Sequence, residues 1–356
     1  ASGDPGVSGY GAGSGSVINQ TLVNVNSTPG NVTYAITPTA NGCAGVSSNY
    51  VVTVNPDPVL FTMAPTGPQC AGTILRLNGS ENGLLYILRL NGSNIDTITG
   101  TGLVGFLDFG PQYATGTYDI IAMNPVTGCQ APMLGTVLMN PNPGIFSVIP
   151  AGILCPGANI GLTGSETGIS YQLRWNHMIN IGVPVNGTGG PISFGTQIFP
   201  GTYTVIATNP DTGCYALMAD SATIYPQPTI YSVVPAGSGC PGTSIGLTSS
   251  QLLIDYVLLL NGIIHIDTIP GSGNPIDFGP QTTAGTYTIL AISQSNYCQT
   301  LMNGTFVINP EPFRYNLTPS GTLCVGQSIS LSGSETGVTY QLYNGTMPIG
   351  APVAGT

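Results

Sequence analysis

The residues best placed to do chemistry are eight cysteines, at positions 43, 70, 129, 155, 214, 240, 298 and 324, and the series Cys70, Cys155, Cys240, Cys324 steps by 85, 85 and 84. Their chemistry is disulfide formation rather than metal binding, because no Cys-x-x-Cys pair or clustered histidine offers a ligand set. Three connectivities stand open. Pairing within a repeat joins Cys70 with Cys129, Cys155 with Cys214 and Cys240 with Cys298, at separations of 59, 59 and 58, and leaves Cys43 and Cys324 to partners outside the sequence. This is the usual use of a repeated pair and the first expectation. In a β-sandwich, however, the loop after the first strand and the last hairpin lie at opposite ends, so Cys70 with Cys214 and Cys155 with Cys298 would lace consecutive domains. Pairing in sequence order, beginning with Cys43 and Cys70, joins the most distant loops.

Other strings imitate catalytic motifs and fail on context. Gly242-Thr-Ser244-Ile-Gly246 has the spacing of a nucleophile elbow, but no helix follows and the preceding repeat has Asn159 in place of the serine. Gly100-Thr-Gly102-Leu-Val-Gly105 lacks a strand-loop-helix frame for a dinucleotide. Asp108-Phe-Gly110 and Asp277-Phe-Gly279 occur in a chain that has no lysine to hold phosphate. His177 and His265 occupy non-equivalent places and read as exposed strand or hairpin residues. Glu81, Glu166 and Glu335 recur without a second carboxylate and read as turn residues. Trp175, the single tryptophan, has no counterpart in the other repeats; exposed, it would offer a stacking face to a glycan. The expectation is no catalytic site, no cofactor and no metal.

The elements that carry these residues are set by an internal repeat of 84 to 85 residues. Tyr86, Tyr171, Tyr256 and Tyr340 keep the step, as do the Phe-Gly pairs at Phe109, Phe194 and Phe278 and the Gly-Thr-Tyr strings ending at Tyr118, Tyr203 and Tyr287. Pro-x-Pro linkers at Pro56, Pro141, Pro226 and Pro310 divide the chain into 1–57, 58–142, 143–227, 228–311 and 312–356. Short alternating segments such as Thr202-Tyr-Thr-Val-Ile-Ala207, separated by Asn-Gly, Pro-Gly and Thr-Gly turns, predict an all-β tandem array of immunoglobulin-like sandwiches forming an extended rod, about seven strands per repeat. Tyr86 and its equivalents belong in a central strand facing the core, and the Gly-Thr-Tyr tyrosines in a corner position. By this ruler 1–57 is the latter half of a different domain and 312–356 the opening of a fourth repeat, which predicts a window cut from a longer array.

Composition narrows the function. Only 18 of 356 residues are charged, four of them arginine, and the formal charge is -10, so nothing can neutralise a nucleic-acid backbone. The longest apolar run, Leu252–Leu260, is interrupted by Asp255 and too short to span a bilayer. A lysine-free chain with regularly placed cysteines reads as extracellular.

The pattern Cys-Pro-Gly, Gly-Ser-Glu-Thr-Gly, Tyr-Gln-Leu, Phe-Gly, Gly-Thr-Tyr-Thr-Val and Thr-Gly-Cys, most complete over Cys155 to Cys214, resembles repeat domains of the very long surface adhesins that Bacteroidetes export by type IX secretion, including those of gliding bacteria. The segment from Val17 through Tyr34-Ala-Ile-Thr-Pro38 to Cys43 is similar to PKD-like domains of the same proteins. Two departures are Gln251 in place of the repeated glutamate and Asn296-Tyr-Cys298 in place of Thr-Gly-Cys. The resemblance implies a glycoprotein with O-glycans on Asp-(Ser/Thr)-apolar triplets, here at Thr97, Ser221 and Thr268; Asn-Gly-(Ser/Thr) triplets at Asn78 and Asn91 read as hairpin turns. The resulting expectation is a non-enzymatic cell-adhesion array, a surface stalk or filament for attachment or gliding motility. Its partners would be the cell surface or substratum, polysaccharide, or other copies in the filament. The alternatives are a glycan-binding module and a spacer of a large secreted enzyme.

Overall fold

In the computed structural model, which describes residues 1–102 and 105–356, the described residues form strands and turns and no helix. They divide into two compact units: 1–149, 161–194 and 203–221 make the first, and 150–160, 195–202 and 222–356 the second. The first and third repeats each lie within one unit; the middle repeat contributes to both.

Repeat 58–142 shows how alternation becomes a sandwich. One sheet orders Leu107–Gln112, Thr73–Leu77 and Met63–Ala64; the other orders Ser93–Thr99, Leu85–Leu90, Gly116–Met123, Val137–Asn140 and Gly67–Cys70, with Gln130–Pro132 also against Gly116–Met123. The nine segments reduce to the seven expected once two breaks are recognised: the first strand changes sheets at Pro65, and the last is divided between 130–132 and 137–140. Every second residue of the central strands points inward, so Leu75, Leu77, Tyr86, Leu88, Tyr118, Ile120, Ala122 and Val137 lose all solvent contact. Burying the leucine, isoleucine and valine side chains among them stabilises by about 1.5–3 kcal/mol each. Repeat 228–311 has the same order and equivalent core residues, among them Ile245, Leu247, Tyr256, Leu258, Tyr287 and Ile289. In the first unit, Ser170–Trp175 lies between Ile179–Asn186 and the residues from Tyr203 to Thr208.

Both repeated tyrosines fall where expected. Tyr86, Tyr171 and Tyr256 are fully buried in central strands, and the hydroxyls of Tyr118 and Tyr287 donate to the carbonyls four residues upstream, of Ala114 (2.8 Å) and Thr283 (2.9 Å). The N-terminal segment builds a three-stranded sheet, Ser2–Gly3, Gly30–Ile36 and Ser48–Val54, over a small core of Val7, Val32 and Tyr34.

Candidate functional site

The chemistry-bearing feature is the disulfide set, and it corrects the first expectation. Cys70 is bonded to Cys214 and Cys155 to Cys298, spanning 144 and 143 residues and joining each repeat to the next. Within a repeat the pairing fails on distance. Cys70 sits beside Asn140, one residue past the Met139 that faces Gly116, whereas Cys129 lies at the far end of the same strand, its carbonyl accepting from the N–H of Asn124. The two cysteines are thus separated by most of a strand, about 25–30 Å at 3.3 Å per residue, against the roughly 5.5 Å a disulfide allows between Cα atoms. Cys43, Cys129, Cys240 and Cys324 are free thiols.

Local sequence prepares each hairpin cysteine. The loop before Cys129 is closed by Asn124, whose Oδ1 accepts from Val126 (2.9 Å) and Thr127 (3.2 Å). Asn209 does the same for Asp211 and Thr212 ahead of Cys214. The threonine then accepts from the cysteine N–H, Thr127 from Cys129 and Thr212 from Cys214, each at 3.3 Å. In the third repeat Asn296 takes over, accepting from Cys298 at 3.0 Å, and Tyr297 adopts the positive φ (58°) that Gly128 and Gly213 hold in the others. The departure in sequence therefore keeps the geometry.

A second repeated device holds the linkers. The side chains of Glu81, Glu166, Gln251 and Glu335 accept from the first backbone N–H groups after the Pro-x-Pro segments, those of Val59 (2.7 Å), Gly144 (3.0 Å), Thr229 (3.0 Å) and Phe313 (2.9 Å). The backbone N–H of each of these four residues donates to the hydroxyl of Tyr86, Tyr171, Tyr256 or Tyr340 at 2.8–3.0 Å. The glutamates are thus linker latches as well as turn residues, the carbonyls of Glu166 and Glu335 accepting from the N–H groups of Ile169 and Val338, and Gln251 suffices because the latch bond needs an acceptor, not a charge. Glycine is required opposite: a Cβ on Gly100, Gly187, Gly271 or Gly355 would overlap the latch residue's carbonyl oxygen and press on the tyrosine ring. A further repeated residue escaped sequence reasoning. Met133, Met218 and Met302 keep the 85 and 84 step and accept, through Sδ, the N–H of Phe61, Phe146 and Tyr231 at 3.3–3.4 Å.

The remaining candidates disperse. Ser244 lies in the strand Thr243–Leu247 and donates to Asp277, whose carboxyl is held below its usual range by that bond and by the Gly279 N–H. Asp108 is lowered by the Gly110 N–H and by Arg76, and each Asp-Phe-Gly string is a self-capped bulge within a strand, Leu107–Gln112 or Ile276–Gln281. The Gly100–Gly105 string includes Leu103 and Val104, which lie outside the described residues. His177 sits at a positive-φ turn (65°) after Asn176, where the other repeats use Asn-Gly; His265 is on the exposed strand Ile264–Pro270, its Nε2 2.8 Å from Thr268 Oγ1. Trp175, the candidate glycan contact, is half-buried at the end of a central strand, in register with Tyr203 and Ile179. Thr97 and Thr268 are exposed on the outermost strands Ser93–Thr99 and Ile264–Pro270, whereas Ser221 is half-buried beside Asp220. Asn91 turns a hairpin (φ 50°); Asn78 does not, and instead accepts from the Thr62 N–H at 2.8 Å. Among the described residues no cluster of three or more potential metal ligands occurs, and no helix is long and apolar enough to cross a membrane.

Residues 1–58 match the family model of the PKD-like domain. A comparison with curated proteins gives no match. Among solved structures, a three-immunoglobulin-domain segment of titin is similar at 11% identity, covering 71% of this chain and 99% of that one with a TM-score of 0.30. A four-domain ICAM-5 ectodomain fragment is similar at 12%, covering 85% and 90%, also with a TM-score of 0.30. SGBP-B of a Bacteroides ovatus mixed-linkage glucan utilization locus, solved with a mixed-linkage heptasaccharide, is similar at 15%, covering 74% and 71% with a TM-score of 0.20. The chain is an all-β tandem series of immunoglobulin-like repeats preceded by a PKD-like segment.

Proposed function

We propose that the chain is a structural and adhesive portion of a long extracellular cell-surface protein, divided as 1–57, 58–142, 143–227, 228–311 and 312–356, with no catalytic role. The observation that carries this reading is the overlap of the two disulfides: each joins one repeat to the next, and residues 155–214 belong to both loops. A protein built to transmit load between repeats gains from such lacing, and one latch at every Pro-x-Pro linker serves the same end. Glycans on Thr97 and Thr268 would stand clear of the core on outer strands and hydrate a surface poor in charge. The glycan-binding alternative would use loops or an aromatic such as Trp175, which is half-buried.

The test is made on intact source cells. Brief external protease treatment is expected to release peptides of 1–356 while a cytosolic marker stays intact, and removal of the region from the gene is expected to reduce attachment under flow. Protection of the region until lysis, or unchanged attachment after its removal, would overturn the reading.

A further inference from the structure

The small sheet of repeat 58–142 turns an unusual face outward. In Thr73–Leu77 the side chains of Leu75 and Leu77 enter the core, so Ile74 and Arg76 face away from it; opposite them stand Pro111 and Asp108 of Leu107–Gln112. Arg76 Nε donates to Asp108 Oδ2 at 2.9 Å, and the other carboxylate oxygen, Oδ1, accepts from the Gly110 N–H at 2.7 Å. The guanidinium carbon of Arg76 lies 5.9 Å from the centre of the Phe106 ring, and Phe106 is 64% exposed. At the other end of the same strand Tyr113, 71% exposed, stands against Gly72, where a Cβ would lie 3.4 Å from its ring. Gly72 and Arg76 are four residues apart, about 13 Å along the strand.

The sandwich does not require these side chains. In place of Arg76, Phe106 and Tyr113 the second repeat has Gly161, Pro191 and Ile198, and the third has Gly246, Pro275 and Thr282. The third builds the same three-stranded sheet without them. Two exposed rings along one strand, with a fixed ion pair beside the first, therefore belong to one repeat and not to the fold.

Charge and wetting select the occupant. The ion pair is neutral as a unit, and the chain carries a formal charge of -10, which disfavours a polyanion. A flat apolar protein surface would strip water from the Arg76 and Asp108 side chains, which are 41% and 46% exposed, at a cost in desolvation. A pyranose suits both features. Its C–H face stacks on an aromatic ring, and its hydroxyls exchange hydrogen bonds with the carboxylate and with the guanidinium N–H groups other than Nε.

We infer that Phe106, Arg76, Asp108 and Tyr113 form a binding strip for a neutral polysaccharide of flat, β-linked pyranose rings, in which the two aromatic rings are stacking platforms and the ion pair engages hydroxyls. Asp108 is held from two sides and the strip lies on strand backbone, so little ordering is needed on binding. The inference rests on the adhesive reading and supplies the chemical class of its partner.

The test is native affinity electrophoresis of the full 356-residue chain through gels containing laminarin, hydroxyethylcellulose, xyloglucan or galactomannan, with alginate and polygalacturonate as acidic counterparts. At least one neutral gel is expected to retard the chain. Phe106→Ala and Tyr113→Thr are each expected to weaken that binding at least fivefold, and Tyr215→Ala, which removes an exposed ring of the second repeat, by less than twofold. Tyr113→Thr copies the residue of the third repeat, and an unchanged thermal midpoint shows that each variant is folded. Retardation by no gel, retardation by acidic gels alone, or undiminished retardation of either folded ring variant would overturn the inference. Attachment of cells under flow is a separate readout: a chain that no gel retards, but whose removal still reduces attachment, loses the strip and keeps the adhesive reading.

Discussion

Pulling the molecule from its two ends distinguishes a laced array from a string of independent domains. Between Cys70 and Cys298 the backbone runs 228 residues, about 800 Å at 3.5 Å per residue when fully extended. With both disulfides closed the shortest covalent route leaves the backbone at Cys70, crosses to Cys214, runs back to Cys155 and crosses to Cys298. That route contains 59 residues and two Cα–Cα spans of 5.4 and 5.5 Å, so it reaches only about 220 Å. The interiors of the first and third repeats leave the loaded path, and tension falls on the middle repeat, between its own two cysteines. In optical tweezers the oxidised chain is expected to release one increment from this region, of at most about 200 Å. After reduction, or in a Cys214→Ser, Cys298→Ser double variant, three increments are expected, each near 300 Å less the folded span. Three equal increments of about 85 residues without reductant would refute the lacing and the mechanical role built on it.

Three further outcomes follow from the latches and the core. Glu166→Ala is expected to cost about 1 kcal/mol in chemical denaturation, whereas Glu166→Gln stays within about 0.5 kcal/mol because Gln251 already fills the role; equal losses would show that charge matters. Gly187→Ala is expected to cost about 1–3 kcal/mol, since its Cβ would meet the Glu166 carbonyl and the Tyr171 ring; an unchanged midpoint would contradict the close approach. Burial raises the hydroxyl pKa values of Tyr86, Tyr118, Tyr171, Tyr203, Tyr256 and Tyr287. A raised value favours the protonated form in the folded state, so the stability it contributes is complete below about pH 10 and is lost as pH rises through the raised values. Absorbance at 295 nm is expected to show these tyrosines ionising late and together with unfolding; titration of all 17 tyrosines at one pH in the folded chain would contradict it.

Much of this architecture was legible because repetition amplifies weak signals. A single Tyr in an alternating stretch says little, but Tyr86, Tyr171 and Tyr256 in one register mark a central strand, and the structure buries all three. The disulfide connectivity was not legible. Chain entropy separates loops of 59 and 144 residues by less than about 1 kcal/mol, so the choice belongs to geometry, and the decisive fact is that Cys70 and Cys129 flank opposite ends of Gly116–Met123. Glu81 and Glu166 were legible as turn residues but not as latches, because what they hold is a backbone N–H, of Val59 and Gly144, 22 positions away. The methionines could have been found, since Met133, Met218 and Met302 recur at the repeat spacing; a sulfur accepting a backbone N–H simply has no sequence motif.

Peptide mapping of the unreduced protein, digested at acidic pH to suppress exchange, addresses the lacing most directly. The expected cystine peptides join Cys70 to Cys214 and Cys155 to Cys298. Recovery of Cys70 with Cys129, Cys155 with Cys214 and Cys240 with Cys298 would contradict the account and return the chain to a series of separately stapled domains.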